Sequence, residues 1–291
     1  MGSLEIFARS ASTGYGTLTT TIDRSIIHAT INNPPINLWD YKLSDDFSSF
    51  IDSLAANSTG VKVVTIASAN QDFWISHYDI HALSNTDPIK PPGDPVLLGE
   101  QLLRTRTNLA TLPVIFIAEI NGRTSGAGNE VAVQCDIRYA GPATRLSQLE
   151  IAFGLLPGAG GVQFLVKLIG RARALEYILS ARPIDAATAA AIGWVNCAFD
   201  SAQELSLAVD ALAQRIATWP EQGLRAVKES VNRQKPSDAD LDGDNAVFLQ
   251  LAKTSVTQAA ADEFLALGDE IRGSFELNVP DDLAEIVPPG Q

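Results

Sequence analysis

Hydrophobic residues follow strand-like and helix-like spacings in turn through the first two hundred residues. Leu18–Ile22 and Ile26–Ile31 lie on either side of a short polar turn and predict a pair of strands, with His28 inside the second as a structural residue. Apolar residues recur at helical spacing from Leu43 to Leu54, and Gly60 signals the end of that helix. Further strands are predicted over Val61–Ala67 and Val114–Ile120, and further helices over Gly99–Leu112, Val162–Val166 and Ala172–Leu179. This alternation predicts an α/β core.

The last third of the chain has a different pattern. From about Ala202 it is helical throughout, with helices predicted over Leu205–Thr218, Gln222–Arg233 and Leu241–Gly273. No Gly/Ser-rich linker precedes them, so we divide the chain into a core over residues 1–200 and a docked helical extension over residues 201–291. Asp185 is predicted to cap one more helix just before this division.

Between two core elements lies a proline-rich segment. Asn85–Pro95 holds four prolines and one glycine, which predicts a surface loop. A lid over a bound substrate and a simple connector are both consistent with its position.

A loop of small residues carries the strongest chemical signal. Asn121–Glu130 leads into the apolar Val131–Val133, which predicts the start of a helix. Unpaired backbone N–H groups at such a junction, with a helix dipole behind them, favour an anion. Glu150 follows Glu130 by twenty residues and precedes the turn Pro157–Gly161. An anion seat beside two carboxylates indicates oxyanion stabilisation combined with acid–base chemistry.

These motifs resemble the crotonase family, the enoyl-CoA hydratase/isomerase superfamily. In that family an Asn-Gly pair and a glycine-rich triplet precede one Glu, and a second Glu precedes a Pro-Gly-Ala-Gly-Gly turn. Four further segments resemble the family in the same order: Asn32–Asn37, Val61–Ser68, Gly193–Val195 and Lys228–Arg233. The resemblance covers the chain from about Leu18 to Arg233 and implies an α/β spiral of ββα turns with a C-terminal helical trimerisation region.

The resemblance also implies roles for particular residues. By position, the backbone N–H groups of Tyr78 and Ala127 form the oxyanion hole, Glu130 activates water, and Glu150 exchanges a proton with the α-carbon of the substrate. Five further residues are implied as lining of the substrate pocket: Ser76, His77, Gly126, Pro157 and Gly158.

Several positions depart from the family pattern. His77 and Tyr78 replace a glycine and a small residue, and His81 stands where hydratases often have a lysine near the coenzyme phosphate. Ala127 replaces the usual middle glycine, and Leu149 replaces a common proline. Bulky side chains at 77 and 78 would narrow or reshape the pocket.

Each signal has a plainer interpretation. Glu130 could be an acid at a helix start, stabilised by the dipole, and Glu150 a surface acid before a turn. Both acids in family register favour catalysis, and retaining both favours hydration over isomerisation. A metal site on His77 and His81 is not supported, because no third ligand has a recognised spacing. His77 as an extra acid or base, and Tyr78 as a hydroxyl donor or a space filler, stay open.

Composition limits the partners. The net charge of −13 argues against nucleic acid and anionic membranes as binding partners. No apolar run reaches the roughly 20 residues that span a bilayer, and the N-terminus has no signal or transit pattern, so a cytoplasmic location is expected. Cys135 and Cys197 lie among apolar neighbours, which predicts buried free thiols.

The resemblance therefore predicts an enoyl-CoA hydratase-like lyase of the kind used in fatty acid metabolism, acting on a 2-enoyl thioester as a homotrimer or homohexamer. No metal, flavin or nicotinamide cofactor is expected, and coenzyme A would only carry the substrate. One alternative is a specialised crotonase-fold isomerase, hydrolase or cyclase, including one acting without coenzyme A. Another is a non-catalytic binding protein on the same fold.

Overall fold

Two sheets organise the core of the protein. The computed structural model describes residues 15–84, 105, 108–268 and 270–286, and in this part of the chain the larger sheet has six strands. In spatial order they are β1 (Leu18–Asp23), β2 (Ile26–Ile31), β3 (Val63–Ser68), β5 (Ile115–Ile120), β7 (Ile137–Ala140) and β10 (Cys197–Ala198). β1 is antiparallel to β2, and every other neighbouring pair is parallel.

The smaller sheet positions the candidate site. Its strands are β4 (Phe73–Ile75), β6 (Arg123–Ser125), β8 (Arg145–Ser147) and β9 (Ile184–Asp185). The first three are parallel, so their carboxyl ends meet at one edge, whereas β9 is antiparallel to β8.

Ten α-helices, besides the helical residues 108–111, surround the sheets in the described part of the chain. They are α1 (Tyr41–Ala56), α2 (Ala127–Gln134), α3 (Gly161–Ile169), α4 (Arg171–Ser180), α5 (Ala186–Ile192), α6 (Ala202–Ala217), α7 (Glu221–Val231), α8 (Asp238–Leu251), α9 (Ser255–Gly268) and α10 (Ser274–Asp282). Short 3-10 helices cover Ile80–Ala82, Glu150–Phe153, Asn232–Gln234 and Leu283–Ile286.

The central strands β3 and β5 of the larger sheet are largely buried on both faces, whereas β1 at its edge exposes alternate residues. Ile26, Val63 and Ile117 pack against one side of α6, the first helix of the C-terminal part. Ile27 and Val64 point the other way, into the main core that α1 and the smaller sheet complete. The helical extension predicted over residues 201–291 thus begins with a helix that covers one face of the larger sheet. The division of the chain at residue 200 stays a prediction.

Most predicted elements occur close to their expected positions. α1 buries the apolar residues of the 43–54 pattern, and Asp40 caps it by accepting a hydrogen bond from the N–H of Leu43 at 2.9 Å. Asp185 caps α5 through the N–H of Thr188 at 2.7 Å, as predicted. His28 is half-buried, and its Nδ1 lies 3.0 Å from the hydroxyl oxygen of Thr65.

Some expectations need correction. The single helix predicted over 241–273 is wrong, because the chain turns between α8 and α9 and again before α10. The helix predicted to start at Val131 begins four residues earlier, at Ala127. Cys135 is buried and Cys197 only half-buried, and both are free. Residues 108–111 of the helix predicted over 99–112 are helical, whereas the loop predicted over Asn85–Pro95 lies outside the described residues.

The observed α/β architecture agrees with the fold class implied by the motifs, while trimerisation through the C-terminal helices stays a prediction. None of the described helices is both long and apolar enough to cross a bilayer.

One contact leaves no room for a side chain. A Cβ at Gly128 in α2 would overlap the backbone carbonyl oxygen of Ile75 at the end of β4. Backbone cannot rotate away as a side chain can, so the first turn of α2 sits against β4 only with glycine at this position.

We predict that Gly128→Ala destabilises the protein by about 2 kcal/mol or more, because α2 must move away from β4. The measurement is the free energy of unfolding from urea titration with circular dichroism. Gly243→Ala is the matched control, since that helical glycine has open space around it, and it should be neutral or stabilising by about 0.5–1 kcal/mol. Equal stability of the two variants would contradict this prediction.

Candidate active site

Three parallel strands end beside one another, and a candidate functional residue follows each of them. Tyr78 follows β4, Ala127 follows β6 and Glu150 follows β8, each within two or three residues. Residues far apart in sequence are therefore brought to one edge of the smaller sheet, as expected where parallel strands end together.

Short cross-links fix the spacing of these strand ends. The N–H of Ser125 donates to the carbonyl of Ser76 at 2.9 Å, which joins the β4 end to the β6 end. The N–H of Gly126 donates to the carbonyl of Ser147 at 3.1 Å, and the hydroxyls of Ser125 and Ser147 lie 2.8 Å apart. The three strand ends thus form one rigid unit.

Two backbone N–H groups at this edge have no acceptor among the described residues. Tyr78 pairs with Trp39 as a parallel bridge, in which the carbonyl of residue 77 and the N–H of residue 79 bond Trp39. The N–H of Tyr78 therefore points away from Trp39. Ala127 is the first residue of α2, where N–H groups lack intrahelical partners, and Gly126 precedes it with a φ of 49° that favours glycine.

Glu130 lies in the first turn of α2 and is 4% exposed. Its Oε1 accepts hydrogen bonds from the N–H groups of Ala159 at 2.7 Å and Gly161 at 2.9 Å. The glycine-rich turn therefore orients this carboxylate at the start of α3. Donation by two backbone N–H groups suits the ionised form of the acid.

Glu150 is also buried, at 8% exposure, so its alternative interpretation as a surface acid is wrong. Its Oε2 has no hydrogen-bond partner among the described residues. Burial and the nearby negative charge of Glu130 raise the pKa of Glu150 well above its ordinary value. Glu150 Oε1 lies 3.4 Å from the side-chain amide nitrogen of Gln148, so Glu130 has the shorter hydrogen bonds, and the pKa of Glu150 is the one that burial raises.

The two acids line a single cleft of about 650 Å³ together with Tyr78 and Ala127, and part of this cleft is open to solvent. Gly126 and Gly158, expected from the family resemblance to line the pocket, also line this cleft. Most of the remaining lining is apolar: Ile80, Leu83, Leu149, Phe153, Leu155, Phe248 and Leu249.

Three predicted pocket residues lie elsewhere. Ser76 and His77 line a smaller cavity behind the cleft, together with Glu276, because their side chains point into the protein and away from the opening. Pro157 is not part of the cleft lining either, since the turn presents Gly158 and Ala159 there. The prediction that Ser76, His77 and Pro157 line the substrate pocket therefore needs correction.

His81 is engaged with acids. Its Nδ1 lies 2.7 Å from Glu270 Oε2 and 3.2 Å from Asp79 Oδ1, and one ligand atom from each of these three residues falls within 4.8 Å of the others. A cation would find suitable donors here, but the described atoms already bond one another. Burial and the charge of Glu270 raise the pKa of Asp79 to about 7.

The contribution of α8 to the cleft was not predictable from the sequence. Asn245, Phe248 and Leu249 from this helix line the cleft, and a Cβ at Gly158 would lie 2.6 Å from that of Phe248. In the sequence, Phe248 and Leu249 are only an apolar pair within a long helical pattern. Hydrophobic periodicity reflects nearby residues, so it does not predict contact with a turn about ninety residues earlier in the chain.

Two further segments that resemble the family, Gly193–Val195 and Lys228–Arg233, contain residues with structural contacts. Trp194 Nε1 donates to Asn129 Oδ1 at 2.9 Å and so braces α2 from behind. Lys228 is buried, and its Nζ donates to Asp136 Oδ2 at 2.8 Å and to the carbonyls of Leu109 and Val114. Neither side chain lines the cleft.

The glycine-rich helix start, the paired acids and the surrounding α/β layers define a crotonase-type site. Residues 21–269 match the family model described as enoyl-CoA hydratase/isomerase. The chain belongs to the enoyl-CoA hydratase/isomerase family, within the crotonase superfamily.

Individual relatives agree with this placement. A probable enoyl-CoA hydratase of Bacillus subtilis is 29% identical over 214 residues, covering 74% of this chain and 81% of the relative. The 2,3-dehydroadipyl-CoA hydratase of Escherichia coli is 30% identical over 217 residues, covering 72% and 80%. The crystal structure of a putative enoyl-CoA hydratase from Streptomyces avermitilis is 33% identical, with a TM-score of 0.85, and covers 94% of this chain and 98% of its own.

His77 should make the stability of the protein depend on pH. Burial alone would lower its pKa, but Glu276, Glu270 and the Tyr78 carbonyl more than offset this and raise it to about 9. The folded state therefore binds a proton that the unfolded state releases near its ordinary pKa of about 6.5. This contribution to stability is complete below about pH 6.5 and is lost as the pH rises towards 9.

We predict that the stability advantage of the wild type over His77→Gln shrinks between pH 6.5 and 9, by at most about 1.4 kcal/mol per pH unit. Urea unfolding of both proteins at half-unit pH steps measures it, and subtracting the two curves removes groups that His77 does not influence. A constant difference across this range would show that His77 binds no additional proton on folding.

Proposed function

We propose that this chain is an enoyl-CoA hydratase-like lyase that adds water to, or removes it from, a 2-enoyl thioester. One observation carries the proposal: two buried carboxylates with opposite surroundings line the same cleft as two free backbone N–H groups. The family membership supports it, since the relatives above are named as hydratases.

In this mechanism the thioester oxygen accepts hydrogen bonds from the N–H groups of Tyr78 and Ala127. Glu130 takes a proton from water as the water oxygen bonds to the β-carbon. The electron pair of the carbon–carbon double bond moves toward the thioester, and negative charge develops on its oxygen. Losing one such backbone donor typically costs about 3–4 kcal/mol of transition-state stabilisation.

Glu150 completes the reaction by giving its proton to the α-carbon, as the enolate collapses. Glu130 has gained one proton and Glu150 has lost one, so the two acids balance, and transfer of the proton between them restores the starting state. Dehydration is the same sequence in reverse. The raised pKa of Glu150, caused by burial and by Glu130, suits a group that must begin protonated.

We predict that Glu130→Gln and Glu150→Gln each lower kcat by about 10²–10⁴-fold with little change in KM, because an amide neither accepts nor delivers the proton. The assay follows loss of the enoyl-thioester absorbance band with crotonyl-CoA and with longer or aromatic enoyl-CoA substrates. Glu204→Gln is the matched control, since this glutamate is exposed on α6 and lies outside the cleft lining. A wild type that consumes no enoyl thioester, or variants that retain full activity, would contradict hydration.

A second candidate is the same enolate chemistry on a substrate that lacks coenzyme A. One observation favours it: His81, at the position where the resemblance implies a phosphate-binding lysine, is paired with Glu270 and Asp79. Two carboxylates beside this imidazole would repel the phosphates of coenzyme A.

The two candidates differ in how much they gain from the nucleotide part of the carrier. If coenzyme A is the natural carrier, we predict that crotonyl-CoA exceeds the crotonyl thioester of N-acetylcysteamine in kcat/KM by about 10²-fold or more, because remote binding energy assists the reaction. Initial rates with both thioesters measure this ratio, and excess free coenzyme A should inhibit. A ratio near one without inhibition would favour the carrier-free candidate.

A further inference from the structure

His77 is buried between two hydrogen-bond acceptors. Its Nδ1 lies 2.8 Å from the carbonyl oxygen of Tyr78, and its Nε2 lies 3.1 Å from Oε2 of Glu276. His77 is 2% exposed and Glu276 1% exposed. A carbonyl can only accept, so Nδ1 carries a hydrogen and donates it to Tyr78, while Nε2 pairs with the carboxyl group of Glu276. The raised pKa of His77 makes the ring an imidazolium at neutral pH.

This arrangement acts on the backbone beside the cleft. In the parallel bridge, Trp39 bonds the carbonyl of residue 77 and the N–H of residue 79, at 2.8 Å and 3.3 Å. The N–H and carbonyl of Tyr78 both point to the opposite side. His77 Nδ1 binds that carbonyl, which belongs to the peptide between residues 78 and 79. The Tyr78 N–H belongs to the preceding peptide, whose carbonyl accepts from Trp39. The peptides on both sides of the Tyr78 Cα are thus held, which restricts the direction of the Tyr78 N–H.

The C-terminal part of the chain supplies further contacts to the imidazole. Glu276 belongs to α10, and Phe264 of α9 packs its ring edge-on against His77 at 5.3 Å between centroids. Glu270, between these helices, lies 3.9 Å from His77 Nδ1 and accepts a 2.7 Å hydrogen bond from the N–H of Ile80. Phe264, Glu270 and Glu276 therefore contact the chain at several points between residues 77 and 81.

We propose that His77 is a positioning residue for the oxyanion hole, and that Glu276 on the last α-helix holds it in place. This inference rests on the proposed function, because it takes the Tyr78 N–H to be an oxyanion donor. His77 itself does not touch the substrate, since it lies behind the cleft. The C-terminal helices therefore control catalysis through Glu276, His77 and the Tyr78 peptide.

The test compares three changes at the pair. Glu276→Gln keeps an acceptor for Nε2 but removes the charge. His77→Asn places an amide N–H where Nδ1 stands and keeps the bond to the Tyr78 carbonyl. The double variant His77→Leu with Glu276→Leu removes both buried charges together, so no unpaired charge threatens folding. Arg272→Gln is the matched control, because it breaks another contact between the C-terminal segment and the core, to Asp72, without touching residues 76–78.

We expect the double variant to fold and to lose about 10²-fold in kcat with little change in KM, as a misplaced donor does. His77→Asn should retain within about 10-fold of wild-type kcat, Glu276→Gln should fall between these two, and Arg272→Gln should match the wild type. A folded double variant with wild-type kcat, or an Asn variant no better than the double variant, would overturn the proposal.

A second readout separates this inference from hydration itself. Acetoacetyl-CoA ionises to an enolate with a near-ultraviolet band, and an intact oxyanion hole raises the enolate fraction of the bound ligand at fixed pH. The wild type and Arg272→Gln should raise this band, and the double variant should not. If the wild-type protein raises this band but hydrates no enoyl thioester, only the proposed hydratase function is contradicted. A wild type that does neither would overturn both.

Discussion

The close contact between the start of α2 and the end of β4 is the constraint on which the site depends. Gly128 meets the Ile75 carbonyl without space for a Cβ, and two residues or fewer separate this contact from Ala127 and Glu130. Because Tyr78 follows β4 directly, the same contact sets the separation of the two candidate donors. Backbone packed against backbone is stiffer than any side-chain contact, and a site that must stabilise a short-lived charge gains from that stiffness.

This contact fixes the start of α2 and the end of β4. The two acids that lie near these ends, Glu130 and Glu150, have different electrostatic surroundings. Glu130 receives two N–H groups from the turn that opens α3, whereas Glu150 Oε2 receives none among the described residues. In a cleft lined mostly by apolar side chains, two ionised carboxylates would repel strongly, so one of them keeps its proton. Burial and the charge of Glu130 raise the pKa of Glu150 well above its ordinary value, so Glu150 is the acid that keeps the proton.

Local patterns predicted much of the fold and part of the site. Periodicity predicted α1 and the paired strands β1 and β2, and a short polar signal predicted the Asp185 cap, because each depends on neighbours in sequence. The break after α8 went unpredicted, since residues 252–254 contain neither glycine nor proline. Gly268 and Gly273 do flank the break before α10, but Gly273 was interpreted only as the end of one long helix. Burial of His77 was not predictable either, because its partner Glu276 lies 199 residues away.

The C-terminal helices therefore contribute more to the candidate site than their sequence indicates. Phe248 closes on Gly158 at one side of the cleft, and Glu276 reaches His77 behind the other. In the proposed function, a less hydrated cleft strengthens the charge interactions inside it, and a fixed Tyr78 N–H directs one of them at the substrate oxygen. Both contacts require the helices to dock, so the candidate site is complete only when the last third of the chain packs against the core.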